Sequence, residues 1–351
     1  MTFDTRAAVV REAVSRLADD RLDPQDLLDE AAARIRRVVP YDLGGFMTLD
    51  PDTLLPTGNV RSGKSSALVD AFWRNELLTP DLHKFTELAG RRSPLATLNT
   101  VDESTTDVSP RRQFIHIPAG LGDEARIVFR ANGAVWGAAC LHREDSAGDF
   151  DAEERAFLAA IASDLGRGLQ HALSRGAGPD ASPATPGVVT LDHELRVSAA
   201  TAEATQLIRL FPGDPTITIF GVAARVQDRQ RAARARVRLT DGRWLLLHAA
   251  HLRRGGASPH DEVAVILDPA PRNDVTSLLL RLHGLSARER DVAELLLAGI
   301  STDELATRLH ISRHTLRDHV KAIFTKFGAS SRSELMARIA ENAPETIAAN
   351  N

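Results

Sequence analysis

The chain has 351 residues, 43% of them hydrophobic and 26% charged, with a formal net charge of −4, which suits two or three soluble domains with real cores. No stretch approaches twenty uninterrupted apolar residues, so no membrane partner is expected. Met1-Thr2-Phe3-Asp4 lacks a cationic leader before an apolar run, and the single Cys140 excludes an internal disulfide framework; both fit a reducing cytoplasm.

Residues 1–175 read as mixed α/β. Val9, Val10, Ala13, Val14 and Leu17 recur at helical spacing, as do Leu27, Leu28, Ala31, Ile35 and Val38. Residues 44–49 suit a strand. Gly58-Asn59-Val60-Arg61-Ser62-Gly63-Lys64-Ser65 satisfies the GxxxxGKS phosphate-loop pattern, whose amides circle a phosphate while Lys and Ser hold the terminal phosphates and magnesium. The apolar run 263–267, ending at Asp268, offers a metal-side carboxylate. Residues 51–57 nevertheless make a poor buried strand, and 263–268 lie beyond a flexible linker. A Gly/Ser loop before a helix containing Leu68, Phe72 and Leu77 is the plainer reading. Further on, 125–130 and 134–142 predict paired strands across Asn132-Gly133, a strong hairpin turn. Asp151 and Glu154 box the start of a long helix with Leu158, Ile161, Leu165, Leu169 and Ala172 on one face. That stripe covers the sheet, or pairs with its mate in a dimer, or does both.

Val39-Pro40-Tyr41-Asp42, the hairpin and the closing helix resemble GAF sensory domains. The resemblance implies a central antiparallel sheet flanked by helices and a pocket over the sheet for a small-molecule effector, with no cofactor required. Phe46, Phe72, Trp73 and Trp136 are candidates to line such a pocket, although aromatic core packing is the plainer reading of them. Cys140, within Ala138-Ala139-Cys140-Leu141, reads as a buried strand residue rather than a redox sensor.

Ser174 to Gly187 reads SRGAGPDASPATPG and has no apolar periodicity, which places a linker at 176–187. Residues 188–268 follow, with a second boundary at Asp268-Pro269-Ala270-Pro271. Here 188–191 suit a strand, 199–211 a helix, and 234–239 and 243–251 a hairpin across Thr240-Asp241-Gly242. Residues 263–267 add a strand. An early helix and late antiparallel strands resemble a PAS domain. Residues 225–254 hold nine arginines and two aspartates, suited to steering DNA, to an acidic surface on another domain, or to a solvated strand face. His248 and His251 point to opposite faces at their spacing, and no Cys/His metal pattern or paired nucleophile and base is present.

Residues 272–345 form a helical module. Ser286-Ala287-Arg288-Glu289, Ser301-Thr302-Asp303-Glu304 and Ser331-Arg332-Ser333-Glu334 each suit a capping box, and Ser312 caps a further helix. Gly299 and Gly328 supply helix stops. Leu316, Val320, Ile323, Phe324 and Phe327 make one face of the third helix; His314, Arg317, Asp318 and Lys321 make the other, with Arg313 and Lys326 near its ends. Such a helix suits the roughly 12 Å major groove of double-stranded DNA. With nine Lys/Arg against seven Asp/Glu over 284–340, contact depends on where charge is placed. A protein-binding helical bundle with a solvated charged face is the alternative.

Leu285 to Val292, Ala298 to Ala306, Leu309 to Val320, Ile323 to Ala329 and Arg332 resemble the LuxR-type helix-turn-helix. The resemblance implies that Ile311 and Leu316 are core, Thr315 and Lys321 approach phosphates, Arg317 faces the groove and Glu289 stabilises helix junctions. Arg317 and His314 become the best base-facing residues, with Arg313, Thr315, Lys321 and Lys326 positioning the backbone. Asp303 stands where many relatives have a phosphate-facing cation, and Asp318 replaces a more neutral residue, where it sharpens specificity by repulsion or accepts from a cytosine amine. The expected fold is multidomain: an α+β GAF-like unit at 1–175, an α+β PAS-like unit at 188–268 and an all-α helix-turn-helix at 272–345. The expected function is a one-component cytoplasmic transcription regulator, not an enzyme, with a homodimer and RNA polymerase as further partners. A sensory scaffold that recruits protein and a nucleotide-hydrolysing enzyme are the alternatives.

Overall fold

The computed structural model describes residues 2–63, 67–100, 109–175, 185–226, 233–252 and 262–342. The chain opens with α1 (Phe3–Leu17) and α2 (Pro24–Arg36), then β1 (Leu43–Leu49), β2 (Pro56–Ser62), α3 (Ala67–Leu78), α4 (Phe85–Gly90), β3 (Leu95–Thr97), β4 (Leu121–Ala131), β5 (Ala134–Glu144) and α5 (Ala152–Leu173). The five strands form one antiparallel sheet in the order β2-β1-β5-β4-β3. The β4–β5 turn falls at Asn132 and Gly133, both at positive φ, as the Asn-Gly pair predicts.

Strand alternation sorts the sheet into two faces. Phe46, Ile127, Phe129, Trp136 and Leu141 pack with α1, α2 and α5. Met47, Val128, Ala138 and Cys140 pack with Phe72 and Trp73 of α3 and Phe85 and Leu88 of α4. The capping box at Asp151 and Glu154 closes in both directions. Gly166 lets α5 approach the sheet: a Cβ there would meet the Arg130 backbone at 2.4 Å.

The next unit runs β6 (Gly187–Leu191), β7 (Val197–Ala200), α6 (Ala202–Ile208), α7 (Pro215–Arg225), β8 (Arg234–Arg238), β9 (Trp244–Leu252) and β10 (Glu262–Pro269). Its sheet order, β7-β6-β10-β9-β8, repeats the connectivity of the first. Two expectations are corrected here. The helix expected over 199–211 spans only 202–208, because Ala199 and Ala200 pair with Thr190 and Val189 in a strand. The region at 58–62, expected as a Gly/Ser loop, is strand β2. The linker at 176–184 lies outside the described residues, as do Arg229, Arg231, Arg253 and Arg254.

Last come α8 (Arg272–Leu282), α9 (Ala287–Leu297), α10 (Thr302–Arg308), α11 (Arg313–Phe327) and α12 (Arg332–Asn342). Helix α8 docks this module on the first unit: Gln170 Nε2 donates to the Arg281 carbonyl at 2.8 Å, and Asn132 Nδ2 donates to Gln170 Oε1 at 2.9 Å. Gly284 sits at φ +71° with its missing Cβ 2.8 Å from Asn132, so the close approach and the backbone both require glycine.

The β1–β2 turn ties all three units. Asp50 Oδ2 accepts from Arg236 N at 2.8 Å and Nε at 2.9 Å, and Oδ1 accepts from Nη2 at 2.7 Å. Asp52 lies 2.5 Å from Arg236 and 3.0 Å from Arg281. The arginine-rich stretch thus places Arg236 against an acidic site on another domain. Arg225 donates to Thr53 O and Arg238 to Arg175 O, while Arg243 pairs with Asp241 within its own unit.

Burial alone raises the Asp50 carboxyl's pKa, but the hydrogen bonds and charge of Arg236 outweigh it and hold the group below its ordinary value of 3.8. Its stabilising contribution is therefore complete above pH 3.8 and is lost as pH falls through the depressed value. Asp50→Ala leaves Arg236 buried without its main counterion and is expected to cost about 3–5 kcal/mol at neutral pH. Urea unfolding of the full chain measures this; an unchanged midpoint would remove Asp50 from the role.

Candidate DNA-reading surface and sensory cavity

The helix-turn-helix is built from α10 and α11. Ser301 accepts from Glu304 N, and His310 takes the left-handed conformation (φ +51°) that lets Ile311 turn inward to half-burial. Ser312 then accepts from Thr315 N and starts α11. Leu305, Leu316, Ile323 and Phe327 are buried beneath it. Of the three expected capping boxes only Ser286–Glu289 closes in both directions. The Glu304 carboxylate accepts from Arg308, and that of Glu334 reaches Ser330 instead of Ser331. A cap needs only the first hydrogen bond, so the helices start where expected with different side-chain partners. The Asp303 side chain lies outside the described residues.

Arg313, His314, Thr315, Arg317, Asp318 and Lys321 are all exposed on α11. Asp318 Oδ2 lies 3.2 Å from His314 Nδ1, with the side chains 66% and 83% exposed, so the pair stands free of the core. Thr315 Oγ1 shares a 2.9 Å hydrogen bond with Ser312. Lys326 stands apart from these six. Its ammonium donates to Glu289 at 2.7 Å and to the Gly284 carbonyl at 3.0 Å. Glu289 also accepts from Ser286 N at 2.6 Å. Lys326 and Glu289 thus clamp α11 to the start of α9.

The first sheet carries a cavity of about 90 Å³ on the face opposite α5. Phe46, Phe72 and Trp73 line it, together with Cys140, His142 and Ile217 of α7. Trp136 does not: it is fully buried, with Nε1 donating to Ala131 O. Burial raises the Cys140 thiol's pKa to about 12, so at neutral pH the sulfur is an inert thiol in the wall.

Behind the cavity lies a buried charge cluster that sequence reasoning missed. Glu124 sits 2.7 Å from Arg111 Nε and 2.9 Å from Arg126 Nε, and Arg126 also meets Glu76 at 2.6 Å. His116 and His142 stack edge to face beside Glu124, with ring centroids 5.3 Å apart. Desolvation lowers the pKa of both histidines, that of His116 to about 3, and the neighbouring arginines reinforce the shift; Glu124 opposes it without reversing it. Both rings are therefore neutral at pH 7. Strand alternation places Glu124, Arg126, Cys140 and His142 on one face, which the sequence signals only as charges inside an otherwise apolar hairpin.

The phosphate-loop reading is corrected by β2. Residues 58–62 pair with 44–48 in the antiparallel ladder, so this stretch does not wrap a phosphate. Lys64 and Ser65 lie outside the described residues, and 263–268 belong to the second sheet.

The sequence pattern of bacterial regulatory proteins of the luxR family matches residues 283–339. Over 55 residues the chain is 38% identical to the spore germination protein GerE of Bacillus subtilis (strain 168), covering 16% of this chain and 74% of that protein. The chain belongs to the luxR family. Over 51 residues it is 45% identical to a putative HTH-type transcriptional regulator in the exeN 3' region of Aeromonas salmonicida, covering 14% of this chain and 26% of that protein. The chain thus spans about a quarter of the length of one of these relatives and three quarters of the other. Among solved structures it is similar to the GAF domain of a phosphoenolpyruvate-protein phosphotransferase from Coxiella burnetii (15% identity, 48% of this chain and 95% of that one, TM-score 0.33). It is also similar to the VqsR LBD domain from Pseudomonas aeruginosa (13% identity, 46% and 94%, TM-score 0.29). The N-terminal unit has flanking helices around an antiparallel sheet and a cavity over one face.

In this luxR-family chain Lys326→Ala is expected to lower stability by about 0.5–1.5 kcal/mol, given a part-exposed charge-assisted contact. A double-mutant cycle with Glu289→Gln in urea unfolding should show coupling. Strict additivity would mean that the two side chains do not act as a clamp.

Proposed function

We propose that this protein is a one-component transcription regulator in which α11 enters the major groove of promoter DNA under control of the N-terminal units. The observation that carries the reading is the arrangement of α11, with Leu316, Ile323 and Phe327 buried and Arg313, His314, Thr315, Arg317, Asp318 and Lys321 exposed along the other side. Arg317 and His314 read base edges, while Arg313, Thr315 and Lys321 hold phosphates. Asp318 accepts from a cytosine amine or repels a wrong step. Lys326 sets the position of α11 from behind. The GAF-like unit, 1–175, receives a small-molecule signal. The middle unit, 188–268, acts as a PAS-like relay; the repeated strand order supports that assignment. The regulator works in the cytoplasm as a homodimer on two half-sites, because one short module makes few phosphate contacts. RNA polymerase is the partner through which it acts on transcription.

Titration of the full chain against fragmented genomic DNA over a salt series, with bound fragments sequenced, tests this reading. Enrichment of a shared two-fold site is expected, and its absence would overturn it. On that site Arg317→Ala should lose about 1–3 kcal/mol of discrimination at one base position. Lys321→Ala should weaken cognate and random DNA alike and reduce the salt slope by about one. Indistinguishable effects from the two substitutions would refute this division of roles.

A further inference from the structure

The cavity over the first sheet continues beyond its own wall. Arg61, Val69, Trp73 and Ile217 line it and also line a wider cavity of about 510 Å³ between α3 and α7. At the other end Leu43, Gly63, Leu68 and Leu121 line both it and an opening beside Arg36, Asp42 and Glu144. The space is therefore an elongated cleft between the β1–β2 hairpin and α3, with a mouth at each end. Its middle is mainly apolar, and among the described residues no carboxylate lines it.

One cation serves that middle. In the β1–β2 ladder Asn59 lies opposite Met47 and Arg61 opposite Gly45. Strand alternation turns both side chains to the face that carries Met47 and Cys140, which is the face toward α3. Asn59 is occupied by the Asp214 backbone, and Ser62, on the alternate face, by Tyr41. The Arg61 guanidinium makes no hydrogen bond among the described residues. Its one ion pair there is loose, with Asp214 Oδ2 at 3.5 Å. Asp214 is itself held by its other oxygen, which accepts from Thr216 N at 3.0 Å to cap α7.

The charges at the two mouths differ in sign. Around the wider cavity Arg61, Arg74 and Arg196 stand against Asp70 and Asp214. Arg74 already pairs with Asp70 at 2.8 Å, and Arg196 with Asp192 and Glu194. Arg61 is thus the cation best able to take an anion from outside, and its planar fork suits a carboxylate. At the far mouth Asp42 and Glu144 outnumber Arg36, which disfavours a second anionic group there.

We propose that the cleft binds a single-headed amphiphilic carboxylate, with the carboxylate on Arg61 and the apolar chain running between the hairpin and α3 toward Leu43 and Leu121. This rests on the reading of the first unit as the sensor and adds the chemical class of its effector. The head group competes with Asp214 for Arg61, at a contact between the first and middle units.

The test titrates the full chain, without DNA, with octanoate, octanol, octylammonium, octanedioate and acetate by calorimetry, with thermal stabilisation as the second readout. Octanoate is expected to bind about tenfold tighter than octanol or octanedioate, with no binding of octylammonium or acetate. Arg61→Leu should erase the advantage of octanoate while octanol binding persists. Val69→Phe, which fills the cleft from α3, should abolish binding of every chain-bearing probe. If Arg61→Leu does not fold, Asp214→Asn decides. Asn keeps the α7 cap and removes the competing charge, so octanoate should bind about threefold tighter and octanol as before. Failure of octanoate to bind, equal binding of octanol, octanedioate, octylammonium or acetate, an advantage that survives Arg61→Leu, binding that survives Val69→Phe, or no tightening in Asp214→Asn would each overturn the proposal. The DNA titration is run separately without probes. A chain that selects DNA but ignores octanoate loses only this proposal, whereas one that binds octanoate and no DNA loses the regulator reading.

Discussion

The arrangement of the three units depends on one buried ion pair, Asp50 with Arg236. Asp50 sits at the turn of β1 and β2, where its carboxylate satisfies three N–H groups of a single residue on β8. The neighbouring Asp52 extends the same site to Arg281 on α8, the helix that leads into the DNA-binding domain. A buried pair of this kind gains little net energy over an apolar contact of the same shape, because desolvation offsets most of the attraction. What it gains is selectivity. A slide of one unit against another would strand two aspartates and two arginines, and an apolar patch would not enforce that.

The same hairpin forms the cavity wall at its other end. Residues 43–47 and 59–63 line the cavity, while Asp50 and Asp52 hold the middle unit and α8. β2 is also an edge strand whose Asn59 exchanges hydrogen bonds with Asp214 and donates its backbone N–H to the Pro212 carbonyl. Ile217, one turn further along α7, completes the cavity wall. The cavity wall and the Arg281 contact therefore share one hydrogen-bonded hairpin.

What was legible in the sequence was local. Asn132-Gly133, the Asp151 and Ser286 boxes and the glycine stop at 328 each fix a backbone conformation through a few adjacent residues, and each stands where expected. The misses share a cause. β2 holds glycine, asparagine and arginine because its outer edge meets the middle unit, so it lacks the apolar alternation of a half-buried strand. Helix α7 has Asp214 and Pro215 at its start but no polar and apolar stripes to mark it, because its continuous apolar run is buried on most sides. The Glu124 cluster was illegible for a further reason. Its members come from positions 76, 111, 116, 124, 126 and 142, and only strand register and helix packing bring them together.

Under the proposed regulator reading, the geometry of α11 constrains how a signal acts on DNA binding. Its six outward side chains are exposed, so that face is not covered by the described residues of the first or middle unit. The module is instead held by its entry, through the Gln170 bond to the Arg281 carbonyl, the Asp52–Arg281 pair and the tight passage of Gly284 past Asn132. Lys326 then carries that constraint onto α11 by donating to the Gly284 carbonyl. A change at the β1–β2 hairpin would reorient α11 as a unit and leave its surface intact. Under the proposed reading of two half-sites at fixed spacing, orientation alone is enough to separate a binding state from a non-binding one.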